Sequence, residues 1–176
     1  MGTNDSLEEW LAESYTTSFR TACLILHNPA DAEEAVQEAF LRAWRFRASM
    51  PEGGAMKPWL YRVVVNACLS KGRRHRPSTT DIDALDEVLP DLGTASPELM
   101  AERGEAGVAL LEALRRLPEP LRVVVVLRYY ADLKEAEIAT AIRRRPGTVK
   151  SRLHEARQRL AQDAELAGAV IVAKEA

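Results

Sequence analysis

The clearest pattern of hydrophobic and polar positions lies in residues 133–160 and divides into two halves with helical spacing. The first half carries Ile138, Ala139 and Ile142, and the pattern then breaks at residues 143–146, three arginines and a proline. Proline suits the first position of the second half, because the N–H group that it lacks has no helical partner there. The pattern predicts two short helices joined by a tight turn, a helix-turn-helix.

The second of these helices has one apolar side and one polar, mostly basic side. A helical wheel places four residues on the inner side: Val149, Leu153, Ala156 and Leu160. The residues that point away from them or flank the outer face are Gly147, Thr148, Lys150, Ser151, Arg152, His154, Glu155, Arg157 and Gln158. Such a face fits the major groove of DNA, where cations neutralise phosphates and Ser, Thr or Glu bond phosphates or base edges. The alternative is a surface helix with a solvated, charged face.

Two further helical patterns precede residue 45. The first runs from about Ser6, where Glu9 completes a capping box, to Asn28. The pair Asn28 and Pro29 then starts a second helix, whose apolar residues recur at intervals of three and four up to Trp44. Its other side is acidic and consists of Asp31, Glu33, Glu34, Gln37 and Glu38, joined by Leu41. This side is either a solvated face or a docking surface for a basic partner.

A third helix is predicted to open with Pro58. Its core positions are Leu60, Val63, Val64 and Ala67. A neighbouring face carries Trp59, Arg62, Asn66 and Arg73, followed by Arg74 and Arg76. An aromatic plane, a guanidinium and an amide on one face are what an exposed nucleic-acid base and its backbone need. The alternative is that Trp59 belongs to the core and the arginines are solvated.

The chain between residues 77 and 97 is predicted to be a linker, because it has few periodic apolar positions, a proline at each end and only acidic charge. A second helical region follows from about Glu98, with one helix formed by Leu110, Leu111, Leu114 and Leu117. Residues 123–127 are β-branched valines and a leucine, which favour a strand by composition. Since no partner strand is evident elsewhere, this run is predicted to be helical as well.

Charge and cysteine usage limit the classes of function. The net charge of −2 excludes a generic polyanion binder, but residues 53–80 contain no acid and residues 81–98 no base, which indicates separate partners for separate blocks. Cys23 and Cys68 lie in apolar runs without metal-ligand spacing, so buried free thiols are predicted. No catalytic, phosphate-loop or zinc spacing appears, so neither an enzyme nor a cofactor or metal is expected. Without a signal peptide or an apolar run of about 20 residues, the protein is expected to be cytoplasmic and not inserted in a membrane.

Five stretches, taken in order, resemble the bacterial extracytoplasmic-function sigma factors, a group of the sigma-70 family. They are DAEEAVQEAF at residues 31–40 with Trp44, WLYR at 59–62 with Asn66, Leu117-Pro118 with Arg122, EIA at 137–139, and GTVKSRLH at 147–154. The resemblance implies an all-α chain that binds RNA polymerase core enzyme and directs it to promoters. The implied parts are a sigma region 2-like domain (residues 1–77), an acidic linker (78–104), a sigma region 4-like helix-turn-helix domain (105–163) and a C-terminal tail (164–176).

The resemblance also implies roles for the polar faces. Polymerase, through the clamp coiled coil of its largest subunit, would be bound by Asp31, Glu33, Glu34, Gln37, Glu38 and Leu41. The downstream promoter element, as single-stranded DNA, would be bound by Trp59, Arg62, Asn66, Arg73, Arg74 and Arg76, with the loop at residues 46–57. The duplex upstream element would be read by Arg145, Gly147, Thr148, Lys150, Ser151, Arg152, His154 and Glu155. The linker would run near the polymerase active site, and an anti-sigma factor is an expected partner.

Four residues depart from the family pattern. Arg143 stands where a glycine is usual, Arg144 replaces an apolar residue, Lys134 replaces a Ser or Thr cap, and Glu155 replaces a common arginine. Arg143 is therefore expected to adopt a backbone conformation that favours glycine, and Glu155 to weaken attraction to DNA phosphates. The alternative function is a stand-alone helix-turn-helix regulator, which needs neither an acidic docking helix nor a face for single-stranded DNA.

Overall fold

The computed structural model describes residues 3–74 and 104–163, and the chain divides into two compact units, Met1–Leu92 and Gly93–Ala176. All regular structure in the described residues is helical, so the prediction of an all-α fold is confirmed. The predicted C-terminal tail, and all of the predicted acidic linker before Gly104, lie outside the described residues. Within the described part of the chain, no helix combines the length and the apolar character needed to cross a membrane.

The first unit is built from three helices, α1 (Thr3–Leu26), α2 (Pro29–Arg45) and α3 (Met56–Arg74). Short 3₁₀ turns at Arg47–Ser49 and Gly53–Ala55 lie between α2 and α3. Each helix packs against the other two. The side of α2 that faces them is made of small, fully buried residues: Ala32, Ala35, Val36, Ala39 and Ala43. These short side chains allow close approach of the helices, so α2 can be held by both neighbours along its length.

Two helix boundaries differ from the predicted ones. Helix α1 begins at Thr3, three residues before the predicted start near Ser6. Helix α3 begins two residues before Pro58, which occupies the first turn, where the missing N–H group is not needed.

The junction between α1 and α2 is stabilised as the sequence predicts. The Asn28 side chain accepts hydrogen bonds from the N–H groups of Ala30 (2.9 Å) and Asp31 (3.1 Å), and Pro29 opens the helix. Just before it, His27 has a left-handed backbone (φ 57°), and its N–H group donates to the Cys23 carbonyl at 2.8 Å. This left-handed residue ends α1 and turns the chain into α2.

The two cysteines are buried free thiols, as predicted. Burial among apolar side chains raises the pKa of the Cys23 thiol to about 11. The thiol therefore stays protonated at neutral pH, which makes it a packing residue rather than a nucleophile.

The second unit contains α4 (Gly104–Arg116), α5 (Glu119–Val125), α6 (Glu135–Ala141) and α7 (Pro146–Gln162). One π-helical turn, Val126–Tyr130, extends α5 and is closed by a hydrogen bond from the Ala131 N–H group to the Val126 carbonyl at 3.0 Å. The run of valines is thus helical, as predicted, and its side chains are buried. Helices α5 and α6 both pack on α7, which makes α7 the centre of this unit.

The helix-turn-helix is formed by α6 and α7. Its inner positions are confirmed, since Val149, Leu153, Ala156 and Leu160 are buried. Helix α6 ends in a Schellman motif: the Arg144 N–H group donates to the Ala139 carbonyl (2.9 Å) and the Arg143 N–H group to the Thr140 carbonyl (3.4 Å). This motif places Arg143 in the left-handed region (φ 53°), so the expectation of a backbone that favours glycine is confirmed.

The start of α6 is stabilised although Lys134 is not a capping residue. The Glu137 carboxylate accepts a hydrogen bond from the Lys134 N–H group at 2.7 Å. One of the N–H groups that a helix start leaves unpaired is therefore bound without a Ser or Thr at that position.

Candidate functional site

The acidic surface of α2 consists of Asp31, Glu33, Glu34, Gln37, Glu38 and Leu41. The structure brings all six to one side of the helix. Glu33, Glu34, Gln37 and Leu41 are exposed, whereas Asp31 and Glu38 are half-buried. Leu41 is 68% exposed, so most of its apolar side chain is accessible to a partner. Carboxylates and an exposed apolar side chain on one side of a helix suit a basic partner that also buries an apolar residue.

Part of this negative charge is already balanced within α2. Arg42 donates to the Glu38 carboxylate at 2.5 Å, and the Gln37 amide donates to the Glu33 carboxylate at 3.2 Å. Both pairs join residues one helical turn apart and lie at the surface, where such contacts contribute little to stability. They orient the side chains of Glu33 and Glu38 but leave both within reach of a partner.

A lysine on the neighbouring helix also contacts the acidic surface, and sequence reasoning missed it. The Lys71 ammonium of α3 lies 3.2 Å from the Asp31 carboxylate and also donates to Glu34. Its side chain is only 12% exposed. The hydrogen bond to Glu34, with that to Asp31, raises the pKa of Lys71 despite the opposing effect of burial. Lys71 thus connects α3 to the acidic surface of α2.

Replacing Lys71 by methionine is expected to destabilise the first unit by roughly 1 to 2 kcal/mol, because Asp31 and Glu34 lose a half-buried cation. Solvent screening of the exposed Glu34 limits this loss of stability. Urea unfolding of the variant measures it. The loss of stability caused by Lys71→Met should be complete below the ordinary lysine pKa of 10.5, and it should disappear as the pH rises through the raised pKa of Lys71. The exposed Lys57 of α3 offers a matched control; equal stability of Lys57→Met and Lys71→Met would contradict the expectation.

An aromatic groove borders the acidic surface. Tyr15 of α1 stacks on Phe19 (ring centroids 6.2 Å apart) and meets Phe40 of α2 edge-on (5.9 Å). Together with Gln37 and Leu41, Tyr15 and Phe40 line a shallow, mostly apolar depression. Burial, with the nearby charge of Glu33, raises the pKa of Tyr15, so its hydroxyl remains neutral at physiological pH. The acidic surface therefore continues into an apolar groove that a partner can fill.

The predicted DNA face of α3 is formed by Trp59, Arg62 and Asn66. All three are half-buried, so the Trp59 ring belongs neither wholly to the core nor wholly to the surface. Their spacing of three and four residues places them on a common side of α3. Arg73 and Arg74 belong to the last turn of this helix, and Arg76 lies outside the described residues.

The loop before α3 presents a second aromatic side chain. Phe46 is 56% exposed. The Arg47 guanidinium covers the Trp44 ring at 4.8 Å from its centroid and donates to the Trp44 carbonyl at 3.0 Å. Sequence reasoning did not identify this contact, although a Trp and an Arg three residues apart at a helix end are a signal for it. The contact fixes the chain after α2 and leaves the Phe46 ring open to solvent.

The outer face of α7 gathers the predicted upstream-element residues. Arg145, Gly147, Lys150, Ser151, His154 and Glu155 are exposed, and Thr148 and Arg152 are half-buried beside them. A Cβ atom added to Gly147 would meet no atom within 4 Å, so packing inside the protein does not require glycine there. Open space at the start of a basic helix suits the close approach of a DNA backbone.

Two side chains on this face have local partners. The Ser151 hydroxyl donates to the Thr148 carbonyl at 3.0 Å, and Glu155 forms an ion pair with Arg159 at 2.9 Å. The pair partly neutralises Glu155, the residue expected to repel DNA. The negative charge that Glu155 adds to this face is therefore offset by a neighbouring cation.

The described residues offer no metal site: within 3–74 and 104–163, no group of three or more His, Cys, Asp or Glu side chains is placed to hold an ion. The chemistry on view is charge, aromatic surface and hydrogen bonding. All three can serve the binding of a macromolecule.

Comparison with known families matches both units. Residues 12–77 match the family described as "Sigma-70 region 2", and residues 107–160 match "Sigma-70, region 4". The first range contains the acidic surface and the face on α3, and the second contains the helix-turn-helix.

Several curated proteins are similar over most of their length. The RNA polymerase sigma-H factor of Pseudomonas aeruginosa is 32% identical over 142 residues, which cover 76% of this chain and 72% of that protein. The ECF RNA polymerase sigma-E factor of Escherichia coli K12 is 34% identical over 137 residues (73% and 71%). The ECF RNA polymerase sigma factor SigM of Mycobacterium tuberculosis H37Rv is 36% identical over 146 residues (81% and 69%).

A solved structure shares the fold. It is the sigma factor RpoE of Bartonella quintana in complex with the anti-sigma factor NepR, which matches with a TM-score of 0.68 and 20% sequence identity. The match covers 92% of this chain and 98% of the other.

Proposed function

Because this chain belongs to the extracytoplasmic-function sigma factors of the sigma-70 family, we propose that its described surfaces divide the tasks of polymerase docking and promoter recognition between the two units. The chain is an alternative sigma factor, which binds RNA polymerase core enzyme and directs promoter-specific initiation of transcription. Chemistry is left to polymerase, and the chain itself has no catalytic role in this proposal. Its place of action is the cytoplasm, where polymerase meets the chromosome.

The acidic surface of α2 is proposed to dock on polymerase. Support comes from the exposed carboxylates of Glu33 and Glu34, on the same side of α2 as the exposed Leu41, and from the apolar groove that continues from Leu41 to Tyr15. A complementary partner presents cations and an apolar side chain, and an anchor that fills a groove contributes most of the affinity in such interfaces.

The face of α3 is proposed to hold the downstream promoter element as single-stranded DNA. Trp59 supplies an aromatic plane, Arg62 a charge and Asn66 a donor and acceptor pair, and the exposed Phe46 ring adds a second plane from the preceding loop. Aromatic planes bind unpaired bases by stacking, which duplex DNA does not permit.

The outer face of α7 is proposed to read the upstream element as duplex DNA. Lys150 and Arg152 are placed for phosphates, whereas His154 and Glu155, further along the exposed face, are placed for base edges.

An anti-sigma factor is a further proposed partner. The similar Bartonella quintana protein is a sigma factor bound to one. In this chain the groove lined by Tyr15, Phe40 and Leu41 is exposed when polymerase is absent, so a regulator has an apolar surface to cover.

One observation supports this division of tasks most directly: in the first unit the exposed carboxylates of Glu33 and Glu34 share a side of α2 with the exposed Leu41, whereas an exposed, mainly cationic helix is in the second. A protein that bound only duplex DNA would need the second surface but not the first.

Binding of the purified full chain to bacterial core polymerase tests the docking assignment. Glu33→Lys and Leu41→Ala, made separately, should each weaken binding by about tenfold or more, because each changes an exposed part of the proposed interface. Within the described residues, Lys71 forms its ion pairs with Asp31 and Glu34 and not with Glu33 or Leu41, so packing of α2 on α3 is left intact. Run-off transcription from sheared genomic DNA should lose its discrete products in parallel.

The control for charge is Glu9→Lys, which makes the same reversal at an exposed site on α1 of the same unit. It should bind polymerase like the unchanged chain. Equal affinity of the Glu33→Lys and Glu9→Lys proteins would refute the docking assignment, and binding of duplex DNA without any binding of polymerase would favour a stand-alone regulator.

A further inference from the structure

The turn between α6 and α7 carries three consecutive arginines, Arg143, Arg144 and Arg145, here called the arginine turn. All three are exposed. Within the described residues none of them has a hydrogen bond or ion pair through its side chain, whereas Arg42 and Arg159 pair with carboxylates. Three neighbouring guanidinium groups therefore face solvent without an internal counter-charge, and together they create a local positive potential that attracts anions.

Arg143 also adopts a backbone conformation that its side chain does not favour. Its φ of 53° is imposed by the Schellman motif at the end of α6. Two other non-glycine residues in the described chain share this conformation, His27 and Asp132, and both are of types that tolerate it. An arginine at such a position is less stable than a glycine, and strain of this kind often marks a side chain kept for binding.

The position of the arginine turn in the chain indicates which anion would bind it. The turn directly precedes Pro146, the first residue of α7, and so leads into the turn of the helix that carries Gly147, Lys150 and Ser151, the residues proposed to meet the upstream element. When the start of a recognition helix enters the major groove, the chain just before it lies over the phosphates that border the groove. Arginine suits phosphate because its planar guanidinium donates two parallel hydrogen bonds.

We infer that Arg143 and Arg144 bind backbone phosphates of the duplex beside the upstream element, and so extend the DNA contact of α7 beyond the residues that face the bases. The inference rests on the proposed function of α7. The phosphate contact does not depend on the DNA sequence. It offsets the loss of attraction to DNA phosphates that Glu155 causes. The strain at Arg143 is retained because glycine would remove one of the two added phosphate contacts.

The test of these phosphate contacts uses holoenzyme formed from the full chain and bacterial core polymerase. Its DNA ligand is a fluorescent duplex that the unchanged holoenzyme has selected from a random pool. Affinity is measured from about 50 to 200 mM salt, the range in which phosphate contacts are most evident. Arg143→Gln and Arg144→Gln should each weaken binding by roughly threefold to tenfold at the lowest salt and make the logarithmic salt slope shallower by about 0.9. The order of preference among selected duplexes should not change.

Two further variants separate charge from strain. Arg143→Lys keeps the charge and should retain most of the affinity and the full salt slope. Arg143→Gly removes the charge and relieves the backbone, so its melting temperature should rise while its affinity falls. A weaker but more heat-stable variant cannot owe its loss of affinity to unfolding.

Lys150→Gln distinguishes failure of this inference from failure of the proposed function, since Lys150 is a proposed phosphate contact within α7 itself. A shallower slope for Lys150→Gln with an unchanged slope for Arg143→Gln and Arg144→Gln would overturn the inference alone. Unchanged slopes for all three, or no binding of any duplex by the unchanged holoenzyme, would overturn the role of α7 as well.

Discussion

Holoenzyme that carries Trp59→Ala is expected to bind promoter DNA but to open it poorly. Stacking of one base on an aromatic ring contributes about 1–3 kcal/mol, so loss of the ring should lower the population of open complex by roughly fivefold to a hundredfold. Reactivity of unpaired thymines towards permanganate measures the opening. Affinity for core polymerase should be unchanged, because the acidic surface of α2 is not altered.

Trp59 is half-buried, so the experiment needs a control for lost packing. Trp59→Tyr keeps an aromatic plane and should restore most of the opening. Trp10→Ala removes a half-buried tryptophan from α1 in the same unit and should leave opening intact in the folded fraction. If the Trp59→Ala holoenzyme opened promoters as well as the Trp10→Ala holoenzyme, the assignment of α3 to the downstream element would be wrong.

Replacing Leu153 by alanine is expected to destabilise the second unit by roughly 2 to 5 kcal/mol. Leu153 is 2% exposed and lies on the inner side of α7, against which α5 and α6 pack. A domain of this size has little stability to spare, so recognition of the upstream element should be lost with the fold. Hydrogen exchange of backbone amides measures the effect in residues 104–163.

The matched control is Leu41→Ala, the same substitution at a leucine that is 68% exposed. It should change stability by less than about 0.5 kcal/mol, because little apolar surface is buried there. Comparable destabilisation by the two substitutions would show that the inner side of α7 is not the core of its unit.

The helices and their inner faces could be predicted because their signals are local. Apolar residues at intervals of three and four specify which side of α7 is buried, and Asn28-Pro29 specifies where α2 begins. The helical state of the valine run was also predictable, from the lack of a partner strand. Helix α1 begins three residues before the predicted start near Ser6, because a capping residue inside a helix-compatible stretch does not compel the helix to begin there.

The predicted surfaces depended on the same local periodicity. The residues proposed for polymerase and for the upstream element each occupy one side of their helix, and the positive φ of Arg143 follows from a glycine position in the family pattern. Their roles in binding stay proposals, because exposure on a common face shows what a partner can reach and not which partner binds.

By itself, the sequence determined the helical class, the cores of α2 and α7, the polar faces and the strained turn, because each depends on residues within one or two helical turns of one another. Only the tertiary structure decided that Lys71 of α3 binds Asp31 and Glu34, 40 and 37 residues earlier in the chain. It also decided that Tyr15 of α1 and Phe40 of α2 form a groove beside Leu41. Such contacts arise from how helices pack, and no spacing along a single helix encodes them.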